Sequence, residues 1–452
     1  MEFNKYLNKN KLNLKITTTK KYLSTILYIG FLFNLNADDK FSIYPKIDLF
    51  INYESQNLDY SPLGQVVNGI QKNNFSNSII GAEIGFDINY NNFDLVIQGS
   101  GISSLNNLSN NNLKIDSTYF DNNNKDFFYL SNLYLQKNID NFNFKLGRQE
   151  YNNQLVNRNK KIISNQYEGI YFDYEKDNFK IDSMYFKKVA ASSISNVVPF
   201  NHDYGVLGYG KGYNIGKFVS VSKYISNKEY NTNGALITNL TYGNERNNIN
   251  IQNLYADDFF NTTNLNLTLS KEFNDLVLSS KLGFIKQVDV GENYLAKDYG
   301  NKKIDGKMYQ GSLNFEYKNF FGSYTHVKTP YNTNAVLNGT LISPFSNKLS
   351  WIYGPQTSHS FIADTVSNQF ILGTGLMVFD IPSLLMIAKI DYEIDKNNIN
   401  SGLTLHTREN YLYFESYISD SLTYTIQYSD AKNIDLLTKR NKNLRTFINY
   451  KF

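Results

Sequence analysis

The stretch IIGAEIGFDINY, residues 79–90, decides the fold. Ile80, Ala82, Ile84, Phe86, Ile88 and Tyr90 alternate with Gly81, Glu83, Gly85, Asp87 and Asn89. Successive strand side chains point to opposite faces, so this is a strand with one apolar and one polar face. It runs into Tyr90-Asn91-Asn92-Phe93, and Asn tolerates the left-handed backbone that a tight hairpin needs. Upstream, Ile47, Leu49, Ile51 and Tyr53 alternate with Lys46, Asp48, Phe50 and Asn52. The same period recurs at 276–284, 309–317 and 384–392, and no stretch of comparable length has a helical period. The chain is read as nearly all β.

The connections alternate in length. Short Asn/Asp turns recur at 90–93, 138–142, 176–179, 273–276 and 318–320, and between them lie polar stretches near 101–126, 149–166, 188–203, 288–306 and 328–367. A transmembrane barrel of the outer-membrane type has short periplasmic turns and long external loops, whereas a soluble sandwich has no reason to segregate them. The expected fold is a transmembrane antiparallel β-barrel with an even number of strands, about 18, although 20 also fits. Residues 203–209 read as strand or loop, and 401–418 as one strand or two.

The N-terminus differs from the body. Six Lys precede an apolar run from Tyr22 to Leu35, followed by Ala37 and Asp38–Asp39. A basic region, a short apolar core and a small residue read as a secretory signal peptide over 1–37, leaving 38–452 as a single barrel domain. The 452 residues carry a formal net charge of +4. Residues 1–37 hold six of the Lys and one Glu, so the remainder has 39 basic against 40 acidic side chains. The basic excess therefore belongs to the export signal, and a nucleic-acid partner is not indicated. A mean hydropathy of −0.42 excludes a helical membrane bundle and fits a barrel in which every second residue meets lipid.

Residues 147–169, GRQEYNNQLVNRNKKIISNQYEG, resemble a segment of the OprD-type outer-membrane porin family. There a Gly-Arg-Gln strand end enters a constriction loop that returns through an aromatic-Glu-Gly. The matching positions are Gly147, Arg148, Gln149, Leu155, Asn157, Tyr167, Glu168 and Gly169; Asn153-Gln154 stands where the family usually has Thr-Pro. The Asn/Tyr/Lys-heavy composition is similar to the epsilonproteobacterial branch, near its major outer membrane proteins. The resemblance implies an 18-strand barrel in the bacterial outer membrane, passive diffusion of small hydrophilic solutes and ions, and a homotrimer as one assembly to test. The chain ends LRTFINYKF, with Leu444, Thr446, Ile448, Tyr450 and Phe452 on one parity. This resembles the terminal signature read by the barrel assembly machinery.

If the apolar parity faces lipid, the other faces the lumen, because an Arg or Lys on the lipid face costs about 2–4 kcal/mol near the midplane. That rule points Lys46, Asp48, Glu83, Asp87, Lys180, Asp182, Lys281, Lys389, Asp391, Glu393, His406, Arg408 and Arg445 inward. The pore-lining set expected from parity is Lys281, Lys389, Asp391, Arg408 and Arg445. The resemblance adds Arg148, Arg158 and Glu168 at or beside the inward loop. Arg148 shares its parity with Phe142, Phe144 and Leu146, so it either sits beyond the bilayer or follows a bulge at Gly147.

Enzymatic readings are weak. Four scattered His have no metal-ligand spacing, GVLGYGKG (205–212) lacks the G-K-[ST] of a phosphate loop, and there is no Cys. His359 between Ser358 and Ser360 reads as solvated loop. No catalytic residue, cofactor or metal is expected. The competing reading is a closed adhesive or structural barrel that binds through its external loops.

Overall fold

The computed structural model describes residues 41–58, 73–104, 126–158, 163–190, 216–226, 228–298, 300–346, 348–352, 354, 360–395, 405–433 and 440–451. Residues 1–37, expected as a signal peptide, the 203–209 segment, the Gly cluster, His359 and Phe452 lie outside the described residues.

The first strands are β1 (Phe41–Leu58), β2 (Asn73–Tyr90), β3 (Phe93–Ser104), β4 (Phe127–Ile139), β5 (Phe142–Gln149), β6 (Gln166–Lys176) and β7 (Phe179–Ala190). Next come the two-residue β8 (Val219–Ser220), β9 (Ala235–Gly243), β10 (Asn248–Ala256), β11 (Phe260–Phe273), β12 (Leu276–Asp289) and β13 (Asp305–Tyr317). The last are β14 (Phe320–Thr329), β15 (Thr365–Val378), β16 (Ile381–Ile394), β17 (Leu405–Tyr417), β18 (Leu422–Asn433) and β19 (Arg440–Lys451). All pair antiparallel with their neighbours, and β1 pairs with β19, so the sheet closes. β8 adds only two residues to the end of β7, which pairs with β9. The barrel proper therefore has 18 strands, and 405–417 is one strand. No helix among the described residues is long and apolar enough to cross a membrane.

Closure removes every sheet edge, the condition for a β-structure in lipid. Short turns cluster at one end, where Asn91 and Asn92 both have positive φ, as do Asp140, Asp177 and Asn274 at the first turn position. Phe379 and Asp380 do the same, an unusual backbone for Phe. Longer connections cluster at the other end, except that three residues join β10 to β11. The outward parity is apolar along most strands, with Leu135, Leu146, Ile170, Leu282, Leu313 and Leu372 all exposed. Near the short turns, Tyr90, Phe142, Tyr242, Phe273, Tyr317 and Phe320 project outward, forming the aromatic girdle of a lipid-embedded barrel.

Candidate functional site in the barrel interior

Two connections run through the interior. The β5–β6 connection is held against the β14–β15 connection by a backbone bond from Asn157 N–H to Phe345 C=O at 3.0 Å. The Asn157 amide donates to Ser346 Oγ at 2.8 Å, and Ser346 Oγ donates to Gln154 C=O at 2.6 Å. The side chains of Asn153 and Gln154 fix the loop by hydrogen bonds. Asn153 Oδ1 accepts from the Leu155 and Val156 N–H groups at 2.9 and 2.7 Å, closing a local turn. Gln154 donates to Leu349 C=O at 2.6 Å and accepts from Asn264 and Asn266 of β11 at 2.8 and 3.1 Å.

The β14–β15 connection is bonded to the wall at two further strands. Gln287 of β12 exchanges two 2.8 Å bonds with the Ile342 backbone, and Gln310 Oε1 of β13 accepts from Trp351 N–H at 2.8 Å. A Cβ on Gly354 would sit 2.2 Å from Glu409 Oε2 and 2.8 Å from Ile390 Cδ1, so the connection passes close to β16 and β17 here.

Beneath these contacts is an apolar core inside the barrel. Phe345 stacks on Tyr224 at 5.6 Å and meets Phe186 edge-on at 5.3 Å. The same core takes in Leu155, Val156, Ile342, Leu349 and Ile352 from the loops, and Ile237, Leu254, Ile285, Met308, Val327 and Ile390 from the wall. A smaller patch joins Ile163 to Phe50, Ile79 and Ile102 on β1–β3.

The rest of the interior is polar. A cavity of about 360 Å³ is lined by Lys46, Asp48, Glu83, Asp87, Lys145, Glu150, Arg158 and Lys451. A neighbouring one of about 370 Å³ is lined by Lys145, Gln149, Tyr151, Lys180, Asp182 and Asn239. Lys46 pairs with Asp87; Tyr151 donates to Asp182. Arg158 stands 3.8 Å from Glu150. The buried atoms Asp87 Oδ1, Asn132 Oδ1 and Gln149 Nε2 in the cavity walls have no protein hydrogen-bond partner among the described residues.

The structure places the expected residues in two groups. Arg158, Lys281 and Arg445 face the interior. Lys281 lies across from Ser312 and Thr268 on the inner parity. Arg445 is buried and donates from Nε to Glu54 Oε1 at 2.7 Å, where Asn443 also donates at 3.1 Å. This cluster spans the closing seam between β1 and β19.

Lys389, Asp391 and Arg408 stand on the outward parity instead. Lys389 pairs across with exposed Phe370, in register with Ile387 and Leu372. Arg408 Nε donates to Asp391 at 2.7 Å, and Glu393 and His406 share that parity. The cause is local. In β16 the apolar residues Ala388, Ile390 and Tyr392 are buried inward against the loop core, leaving the charged parity for the exterior.

Arg148 and Glu168 also stand outward, beside Leu146 and Ile170, because the register runs unbroken through Gly147. Gly147 has φ +131, and a Cβ there would lie 2.1 Å from Leu133 C=O; the register shift falls at Glu168/Gly169 on the β7 side. At the loop end of β5, Arg148 donates to Glu168 at 2.9 Å, Lys188 donates to Glu168 at 3.0 Å, and the guanidinium lies 4.4 Å from the Phe218 ring centroid. The residues that sequence reasoning missed are Lys145, Glu150, Tyr151 and Lys451. Lys145 had a sequence signal, since it opposes Phe144 and Leu146 in parity.

No family profile matches the sequence, and no curated protein does. Solved structures do match. Outer membrane protein OpdK from Pseudomonas aeruginosa superposes with a TM-score of 0.64 at 12% identity, covering 90% of this chain and 98% of that one. OccAB3 from Acinetobacter baumannii gives 0.68 at 11%, covering 91% and 99%. OccK8 (OprE) from P. aeruginosa gives 0.65 at 12%, covering 91% and 98%. The fold is that of the 18-strand outer-membrane porins of the OprD/Occ group.

Proposed function

We propose that this chain is a bacterial outer-membrane porin of the OprD type, passing small hydrophilic solutes and ions by passive diffusion. The observation that carries the reading is the polar cavity beside the inward loops. Its walls carry both charge signs and buried polar atoms without protein partners among the described residues, which suits an aqueous, solute-exchanging path. Arg158, Lys281 and Arg445 are the proposed interior charges from the expected set, joined by Lys46, Lys145 and Glu150. Charges of both signs along this path would sort solutes by charge and dipole. One structure in the group is OpdK with vanillate; an organic anion of that size is a reasonable first solute to assay.

The mechanism involves no covalent step and no catalytic residue. The inward loops narrow the path, and their side-chain bonds set its width. Residues 1–37 act as the export signal, Phe452 as the contact for the barrel assembly machinery, and a homotrimer is the assembly to test. An epsilonproteobacterial origin rests on composition alone. The test is planar-bilayer recording of refolded protein: discrete conductance steps are expected, and a silent bilayer would overturn the reading. Silence would favour the closed surface barrel, which the apolar packing of the loops inside the wall could also serve.

A further inference from the structure

The outer wall of β16–β19 carries a charge pattern that neither a pore nor an apolar lipid band requires. Across these strands the outward parity forms rows through the registered pairs. The row Ile387–Leu412–Tyr428–Leu444 is apolar. One step toward the long-loop end comes Lys389–Asn410–Asp430–Lys442, then Asp391–Arg408–Lys432–Arg440. These two rows hold five basic and two acidic side chains. Asp391 is taken by Arg408, and Asp430 by Arg440 at 2.7 Å. Lys389, Lys432 and Lys442 make no ion pair among the described residues. Directly below, an apolar depression of about 440 Å³ opens on the exterior between Phe370, Leu372, Ile387, Leu412 and Tyr428, with Lys389 at its edge. The patch is bounded: the β1 position in register with Lys442 is the uncharged Asn57.

An exposed apolar groove capped by spare cations matches an amphiphile with an anionic head and acyl chains. Lipid-facing basic side chains otherwise carry a penalty that falls toward the interface; an anionic headgroup would offset it. We infer that the outer wall of β16–β19 binds a phosphorylated lipid of the outer leaflet, with its phosphates on Lys389, Arg408, Lys432, Arg440 and Lys442 and an acyl chain in the groove. The inference rests on the barrel standing in the outer membrane and is independent of whether the pore conducts.

The test is native mass spectrometry of the detergent-solubilised full barrel, titrated with a bisphosphorylated diglucosamine lipid, its phosphatase-treated form, or phosphatidylethanolamine. The phosphorylated lipid is expected to bind at least roughly tenfold more tightly than the other two. The triple variant Arg408→Gln/Lys432→Gln/Arg440→Gln should lose that preference, while Lys137→Gln, an outward Lys at the short-turn end, keeps it. Heat-modifiable gel migration verifies that each variant is folded, and the phosphatase arm needs no variant. Equal binding of the phosphorylated and treated lipids overturns the proposal. So does a triple variant that retains the preference, or one that loses its oligomeric state with lipid binding unchanged, which would assign the face to a second copy of the chain. A conducting barrel without the preference would refute only the lipid site, whereas a silent barrel that binds the lipid would refute only the pore.

Discussion

Two arcs of one wall obey the same alternation and mean opposite things by it. Along β1–β3 and β19 the inward residues include Asn52, Glu54, Glu83, Ser100, Asn443 and Arg445, and the outward ones are mostly apolar below the basic Lys442 and Arg440 at the loop end of β19. Along β9–β16, toward the long loops, the inward residues include Ile237, Leu254, Ile285, Met308 and Ile390. The difference is what lies inside. The first arc mostly faces the polar cavity, while the second faces two loops that bring their own apolar side chains. Period two thus reports that a strand has two unlike faces. It names the lipid face only where the interior is wet.

This sets what could be read from the chain. Barrel class, a strand number of 18 to 20 and the short-turn end were legible because period and turn chemistry are local, whereas the inward loop after Gly147 was read from the resemblance alone. The inward parity was legible for Lys281 and Arg445. It was inverted for Lys389, Asp391 and Arg408, because the partner of Ile390 and Tyr392 is a loop some 40 residues upstream that no local pattern announces. Arg148 illustrates the reverse: its parity had already set it with the lipid-facing residues, and the resemblance drew it inward. It lies instead in an outward ionic cluster with Glu168 and Lys188.

The comparison can be broken most forcefully at the apolar arc. Phe345→Ala removes a buried ring between Tyr224 and Phe186 and should cost about 3–5 kcal/mol of loop packing. The expected readout is larger, noisier single-channel conductance, with the barrel still heat-modifiable. The polar arc has a counterpart in Glu54→Ala, which removes the carboxylate that accepts from the buried Arg445 guanidinium. A loss of about 3–5 kcal/mol is expected at the closing seam, seen as a lower urea midpoint for unfolding in detergent.

Gln154→Ala sharpens the account of the loop at smaller cost. It removes the bonds to Leu349, Asn264 and Asn266, about 1 kcal/mol each at most, and should raise conductance moderately without changing barrel stability. The smallest effect concerns pH. Asp364, at the end of the β14–β15 connection, has its carboxyl pushed above the usual range by burial first and by Asp395 second. A raised folded-state value means the folded form holds the proton more firmly, so acidification through that value stabilises the loop and higher pH withdraws the gain. Asp364→Asn should abolish this dependence, measured as protease resistance of the connection between pH 7 and pH 4.

The most direct test exploits the absence of cysteine from the sequence. Lys281→Cys and Lys389→Cys place single thiols on two lysines with opposite assignments, and a membrane-impermeant, charged thiol reagent is added during bilayer recording. Labelling at 281 should reduce or rectify the current, and labelling at 389 should leave it unchanged. A block from 389 with none from 281, or no current from the unmodified protein, would contradict the account.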